Sequence, residues 1–226
     1  MKLKPTVISL SLLAAVSSVS AVTVQNIGPA TVTYDETTTL GPLSSWFSSG
    51  TTYGFTWTLP NSASEVSFGA TVIVKEPLPS FTLTVNPGWS LSGPASAFLG
   101  NPTFTEIGGA TTNIAGTADV SVDGGPATTI AGLSGFVITA SAPGYAAGYF
   151  SSTTSIPAGS FSSLDISNTS LTLSAAGGTF SNIVTSPQNK LEYSFTAMPV
   201  PEPETYAMLL SGLAAMGWLV RRRRSA

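Results

Sequence analysis

Residues 53–59 read Tyr-Gly-Phe-Thr-Trp-Thr-Leu, with every second side chain large and apolar. This period of two is the strongest constraint on the fold, because only an extended strand sends alternate side chains to opposite faces. Tyr53, Phe55, Trp57 and Leu59 share one face, and residues 81–85 repeat the pattern with Phe81, Leu83 and Val85. Further runs rich in β-branched and aromatic residues lie at 31–34, 66–75, 117–122, 135–140, 170–173 and 191–196. Pro-Asn, Pro-Gly and Gly-Gly sequences separate these runs at 60–61, 87–88, 108–109, 143–144 and 177–178. Asp123-Gly124 between two such runs is a hairpin signal. Strands about ten residues apart with no helical period between them predict an all-β body. The expected architecture is an antiparallel β-sandwich or jelly-roll-like domain of about 9–11 strands, with a β-solenoid as the alternative. Residues 151–163 and 181–188 are expected to be loops, and residues 95–99 one helical turn at most.

Two apolar segments flank this body. Lys2 and Lys4 precede an apolar run at 7–16, followed by Ser17-Ser18-Val19-Ser20-Ala21. A basic start, an apolar centre and small residues at Val19 and Ala21 form a secretory signal peptide over residues 1–21, cut after Ala21. At the other end stands Pro199-Val200-Pro201-Glu202-Pro203-Glu204, then an uncharged run at 207–220, then Arg221, Arg222, Arg223 and Arg224. Three prolines in five residues fix φ and remove donors, so this stretch is expected to stand extended and clear of the domain. The 14-residue apolar run makes a helix about 21 Å long, against a hydrocarbon core of roughly 30 Å. Tyr206 and Trp218 suit the two interfaces, which makes residues 206–220 a short transmembrane helix held transiently in the inner membrane. The arginines stop it on the cytoplasmic side.

Pro201-Glu202-Pro203, the short apolar helix and the terminal arginine cluster, in that order, resemble the PEP-CTERM sorting signal of Gram-negative bacteria. The resemblance covers residues 199–226 and leaves the body, residues 22–198, unassigned. It implies an exosortase-like processing enzyme as partner, acting near Pro201, Glu202 and Pro203. It also implies delivery to the cell surface or extracellular matrix, in association with biofilm or exopolysaccharide. The implied localisation is export through the inner membrane by way of a C-terminally anchored intermediate.

Composition restricts what the body does. It holds two lysines, Lys75 and Lys190, against nine carboxylates: Asp35, Glu36, Glu65, Glu76, Glu106, Asp119, Asp123, Asp165 and Glu192. The other basic residues lie in the flanking segments, so the chain's net charge of −3 conceals a body of −7. An acidic surface does not suit nucleic acid, which calls for a basic patch. Cysteine and histidine are both absent, which removes disulfides, thiol chemistry and imidazole acid–base catalysis. The usual zinc, copper and iron ligands go with them, so no cofactor and no metal site is expected. Asp119 and Asp123 fit no calcium-loop spacing, and no carboxylate pair or Ser–Lys dyad stands out.

Trp46, Trp89, Tyr145 and Tyr149 lie beside Ser-, Gly- or Ala-rich sequence and are candidate glycan contacts. Thr-x-Thr pairs at 31/33, 56/58, 82/84 and 103/105 would order water if stacked on one flat face. The expectation is therefore a structural or interaction protein rather than an enzyme. The alternatives are a secreted glycan-binding or polysaccharide-degrading protein and an ice-binding surface protein.

Overall fold

The computed structural model describes residues 22–35, 40–67, 69–132, 138–139, 144–201 and 203–224. The expected signal peptide, 1–21 with its cut at Ala21, lies outside the described residues, as does Glu202 of the tail motif. In chain order the strands are β1 (Val22–Asn26), β2 (Ala30–Asp35), β3 (Ser45–Ser49), β4 (Thr52–Thr58), β5 (Ser62–Ser67), β6 (Thr71–Pro77), β7 (Phe81–Val85) and β8 (Trp89–Ile107). They continue with β9 (Thr111–Val122), β10 (Thr128–Gly132), β11 (Ile138–Thr139), β12 (Tyr145–Ile156), β13 (Ser160–Phe161), β14 (Ser163–Ala176), β15 (Phe180–Thr185) and β16 (Lys190–Pro199). One helix, α1 (Pro203–Arg224), follows.

The strands form two antiparallel sheets packed face to face, which is the expected sandwich. Each sheet is built around one long strand. In the first, β14 runs beside β7, β6 and β9, giving the order β1-β2-β7-β14-β9-β10, with β6 on β14 and β11 on β9. In the second, β8 runs beside β16 and β15 on one side and β12 and β13 on the other. The order there is β3-β4-β16-β8-β15-β5.

Both long strands break at an asparagine in the left-handed region, Asn101 at φ 67° in β8 and Asn168 at φ 49° in β14. Asparagine tolerates that region better than most residues with a side chain. The break hands the edge of β8 from β16, paired as far as Gly100, to β15, paired from Thr103. In β14 it hands the edge from β7, paired as far as Ile166, to β6, paired from Ser170. A bulge of this kind re-aims a strand so that it serves two neighbours.

The core lies between the inner faces. Phe55, Trp57, Phe81 and Tyr193 stack with ring centroids 4.7–6.2 Å apart. Each is almost fully buried. Burial of this order supplies roughly 1.5–3 kcal/mol per large apolar side chain, and edge-on ring pairs add to it. Asp123-Gly124 forms the expected turn, with φ of 51° and 70° and the Gly125 N–H donating to the Val122 carbonyl at 2.9 Å.

Several local expectations are corrected. Residues 95–99 are strand within β8, and much of 151–163 and 181–188 is strand in β12, β13, β14 and β15. In β12 the Ser and Thr residues are exposed or half-buried, in β15 Ser181 and Thr185 are buried, and backbone pairing to β8 holds both segments extended. Two packed sheets also replace the solenoid alternative.

Candidate functional site

The tail is continuous with the sandwich. Pro199 is the last residue of β16 and pairs with Trp89, the first residue of β8. The Val200 N–H then donates to the Gly88 carbonyl at 2.8 Å. Pro199 joins the sheet because β16 is an edge at this point: its pairing with β4 ends at Thr196, so the missing N–H costs no ladder bond on that side. Pro203 is the first residue of α1, where a proline's fixed φ and absent N–H are tolerated. The expected free-standing Pro-rich peptide is thus corrected at Pro199, which lies in the sheet, and at Pro203, which opens α1.

The side chains described on α1 are exposed, among them Met208 at 76%, Leu210 at 65% and Met216 at 60%. Arg221 through Arg224 form its last turn, where positive charge complements the helix dipole. Among the described residues no helix is long and apolar enough to cross a membrane. The expected transmembrane helix is corrected on that ground. α1 is 22 residues long, but proline and glutamate open it and four arginines close it, leaving too short an apolar stretch.

A cleft of about 210 Å³ lies at the foot of the tail, lined by Val85, Trp89, Ser90, Leu91, Asp123, Ser160, Phe161 and Ser162. The β9–β10 turn brings Asp123 there. Its Oδ1 accepts from the Ser162 and Ser163 N–H groups at 2.7 and 2.8 Å, which fixes the carboxylate. Trp89 is half-buried, edge-on to Tyr53 at 5.8 Å. Nothing local in the sequence joins Asp123 to Ser162, because β13 and the start of β14 meet the β9 turn only through sheet pairing.

The four aromatic candidates do not converge. Trp46 is 51% exposed on β3, at one edge of the second sheet. Tyr145 and Tyr149 are 69% and 68% exposed on β12, beyond β8 from that edge. Trp89 alone lines the cleft.

The threonine pairs divide between the sheets. Thr31 faces Thr84 and Thr33 faces Thr82 on the first sheet, whereas Thr56/Thr58 and Thr103/Thr105 lie on the second. Thr31 also bonds Asn86 and Thr82 bonds Asp165, so two of the four hydroxyls in the first group are engaged within the protein.

Several of the described carboxylates are engaged by neighbours. Asp119 accepts from Thr129 at 2.6 Å and Asn168 at 2.7 Å. The Thr129 hydroxyl, and after it the Asn168 amide, hold its carboxyl below the usual aspartate range. Glu106 is fully buried, with Oε1 accepting from the Thr112 N–H at 2.7 Å and the Thr112 hydroxyl at 2.8 Å. Its Oε2 has no partner, nor does the hydroxyl of Ser181, which pairs with it across β8 and β15. Sequence reasoning counted Glu106 with the surface charge, and its burial follows from alternation along β8 past the bulge. Among the described residues no three groups of metal-ligating type gather.

A second cavity of about 30 Å³ between the sheets is lined mainly by apolar groups and by Tyr193. Burial pushes the Tyr193 phenol up, so it stays neutral.

No characterised protein matches the chain at a significant level. Among solved structures it is similar to that of infectious bursal disease virus Gx strain, at 10% identity, covering 78% of this chain and 53% of that one, with a TM-score of 0.19. The Gt strain structure gives 11% identity, coverages of 77% and 53%, and a TM-score of 0.19. The T13 viral particle of that virus gives 12% identity, 77% and 50%, and a TM-score of 0.20. The chain spans about half the length of each. Residues 199–224, from the end of β16 through α1, match the PEP-CTERM protein-sorting motif, and the chain carries that motif.

Proposed function

We propose that this chain is an exported surface or extracellular-matrix protein whose β-sandwich is the cargo and whose residues 199–224 are its sorting label. The observation that carries this reading is the match of the sorting motif to a segment joined directly to a closed, acidic sandwich. The motif makes the chain a substrate for an exosortase-type enzyme, reached through a membrane-anchored intermediate. Pro201, Glu202 and Pro203 are the recognition residues. The sandwich acts as a structural or interaction module rather than an enzyme. Support comes from its carboxylates: Asp119, Asp123 and Asp165 are each tied to neighbours, and Glu106 is sealed in the core.

The test is replacement of Pro201, Glu202 and Pro203 by Ala, with mass spectrometry of the mature C-terminus in a host that carries the processing enzyme. Wild type is expected to lose its arginines and the variant to keep them. Intact wild type in the inner membrane sinks the reading.

A second reading is favoured by the cleft at the tail's foot, where an aromatic wall, a fixed carboxylate and several serines suit one sugar unit of a matrix polysaccharide. Glycan-array binding by the detergent-solubilised chain, weakened by Trp89→Ala and unaffected by Tyr145→Ala, is the expected outcome.

A further inference from the structure

The junction between sandwich and tail is too short for an enzyme to grip as it stands. Val200 is bonded to Gly88, and α1 begins at Pro203. Only Pro201 and Glu202 lie between, and two extended residues reach about 7 Å. An enzyme that cuts a peptide bond takes the chain around that bond as an extended peptide. Such binding uses backbone N–H and C=O groups together with alternate side chains. The neighbouring groups of β16 are engaged by β8.

We propose that the surface presented to the processing enzyme includes residues 198–201, and that the end of β16 detaches from β8 to supply it. This rests on the sorting reading given above.

Three observations place the point of detachment. From Met198 onward β16 pairs on one side only, because its register with β4 ends at Thr196 and the Ala197 N–H makes the last bond on that side, to the Thr51 carbonyl at 2.9 Å. Met198 is 51% exposed and Val200 46%, so lifting them uncovers little new apolar surface. Ala197 and Phe195 are 1% and 3% exposed, so peeling further opens the core and stops there. The bonds released are Val200 N–H to Gly88, the long 3.4 Å contact of the Ser90 hydroxyl with the Met198 carbonyl, and the ladder of Met198 and Pro199 with β8. Detachment frees residues 198–200 as well, which adds roughly 10 Å of reach between the sandwich and α1. Terminal strand segments with few buried contacts are the parts of a fold that open most readily.

The test uses the absence of native cysteine. Met198 stands directly opposite Ser90 in the β8–β16 register, so a Ser90→Cys/Met198→Cys pair has the Cα separation a disulfide accepts. The full chain is produced in membranes bearing the processing enzyme, and release of the tail is followed by mass spectrometry. The oxidised double variant is expected to be processed at least roughly tenfold more slowly than the same protein after reduction, because the competent open fraction is removed. A Gly-Ser-Gly-Ser insertion between Val200 and Pro201 is expected to restore the rate in the oxidised protein. Equal rates in oxidised and reduced forms overturn the proposal, and so does an insertion that leaves the block in place.

Amide hydrogen exchange on the unmodified chain tests it without the enzyme. The Met198 and Val200 amides are expected to exchange together and well ahead of Ala197, and equal protection across all three overturns the inference. A wild-type chain that is never processed removes the sorting reading, while the exchange result still decides whether the strand end opens.

Discussion

Glu106 shows how much a single side chain depends on its neighbours. Its Oε1 satisfies two donors of Thr112, while Oε2 and the Ser181 hydroxyl face the interior without partners. Glu106→Ala leaves the buried Thr112 N–H unsatisfied and is expected to cost about 1–3 kcal/mol. Glu106→Gln keeps a carbonyl for Thr112 and offers amide protons toward Ser181, so its Tm is expected to equal or exceed that of wild type. Thermal unfolding of both variants checks this, and a Gln variant as unstable as the Ala variant overturns it.

Asp119 gives the acid-side counterpart at the surface. Its folded carboxyl titrates below the unfolded one, so its contribution is present above the usual aspartate range and is lost as pH falls through the folded value. Thr129→Val removes the larger cause. The Asp119 midpoint in an NMR titration is then expected to move up toward the ordinary value, and its share of the acid-side loss to shrink. An unmoved midpoint contradicts the assignment.

At the scale of elements, the two long strands matter most, and each turns on one residue. Asn101 stands at φ 67° with an exposed side chain, and its carbonyl accepts from the Asn189 amide at 2.6 Å. Asn101→Gly keeps the bulge and is expected to leave stability nearly unchanged. Asn101→Val, β-branched in the left-handed region, is expected to cost about 1–2 kcal/mol or more, read as a lower denaturant midpoint. Equal midpoints for the two variants show that the bulge does not need that backbone conformation. The bulge in β8 was not legible beforehand. Only the exchange of partners from β16 to β15 makes Gly100-Asn101-Pro102 a bend inside one continuous strand. The hairpin at Asp123-Gly124 was legible, because both its residues favour positive φ and the signal is local.

At the scale of the whole molecule, the sandwich and α1 are energetically separate. The described side chains of α1 are exposed, so the helix adds little to the core. A chain ending at Val200 is expected to unfold within about 2 °C of the full chain, since burial sets the unfolding free energy and Tm. Calorimetry in detergent reads the difference, and a drop of several degrees shows that α1 packs on the sandwich. The acidic body makes the same division in charge, with the arginines confined to the segment that the sorting motif covers.

The sequence by itself determined the strand-forming runs, the inward set of Phe55, Trp57, Phe81 and Leu83, the uneven charge and the sorting tail. All of these are read within a few residues, through period-two alternation, proline and glycine chemistry, or a contiguous motif. The tertiary structure alone decided which strands pair, and with that three further features. Ser- and Thr-rich residues 151–155 became strand, because backbone bonds to β8 hold them although none of their side chains is fully buried. Glu106 went into the core through its place on β8. Pro199 joined the sheet beside Trp89, 110 positions earlier in the chain, where an extended stem was expected. Pairing between residues so far apart is set by how two sheets share one core, and no local pattern encodes it.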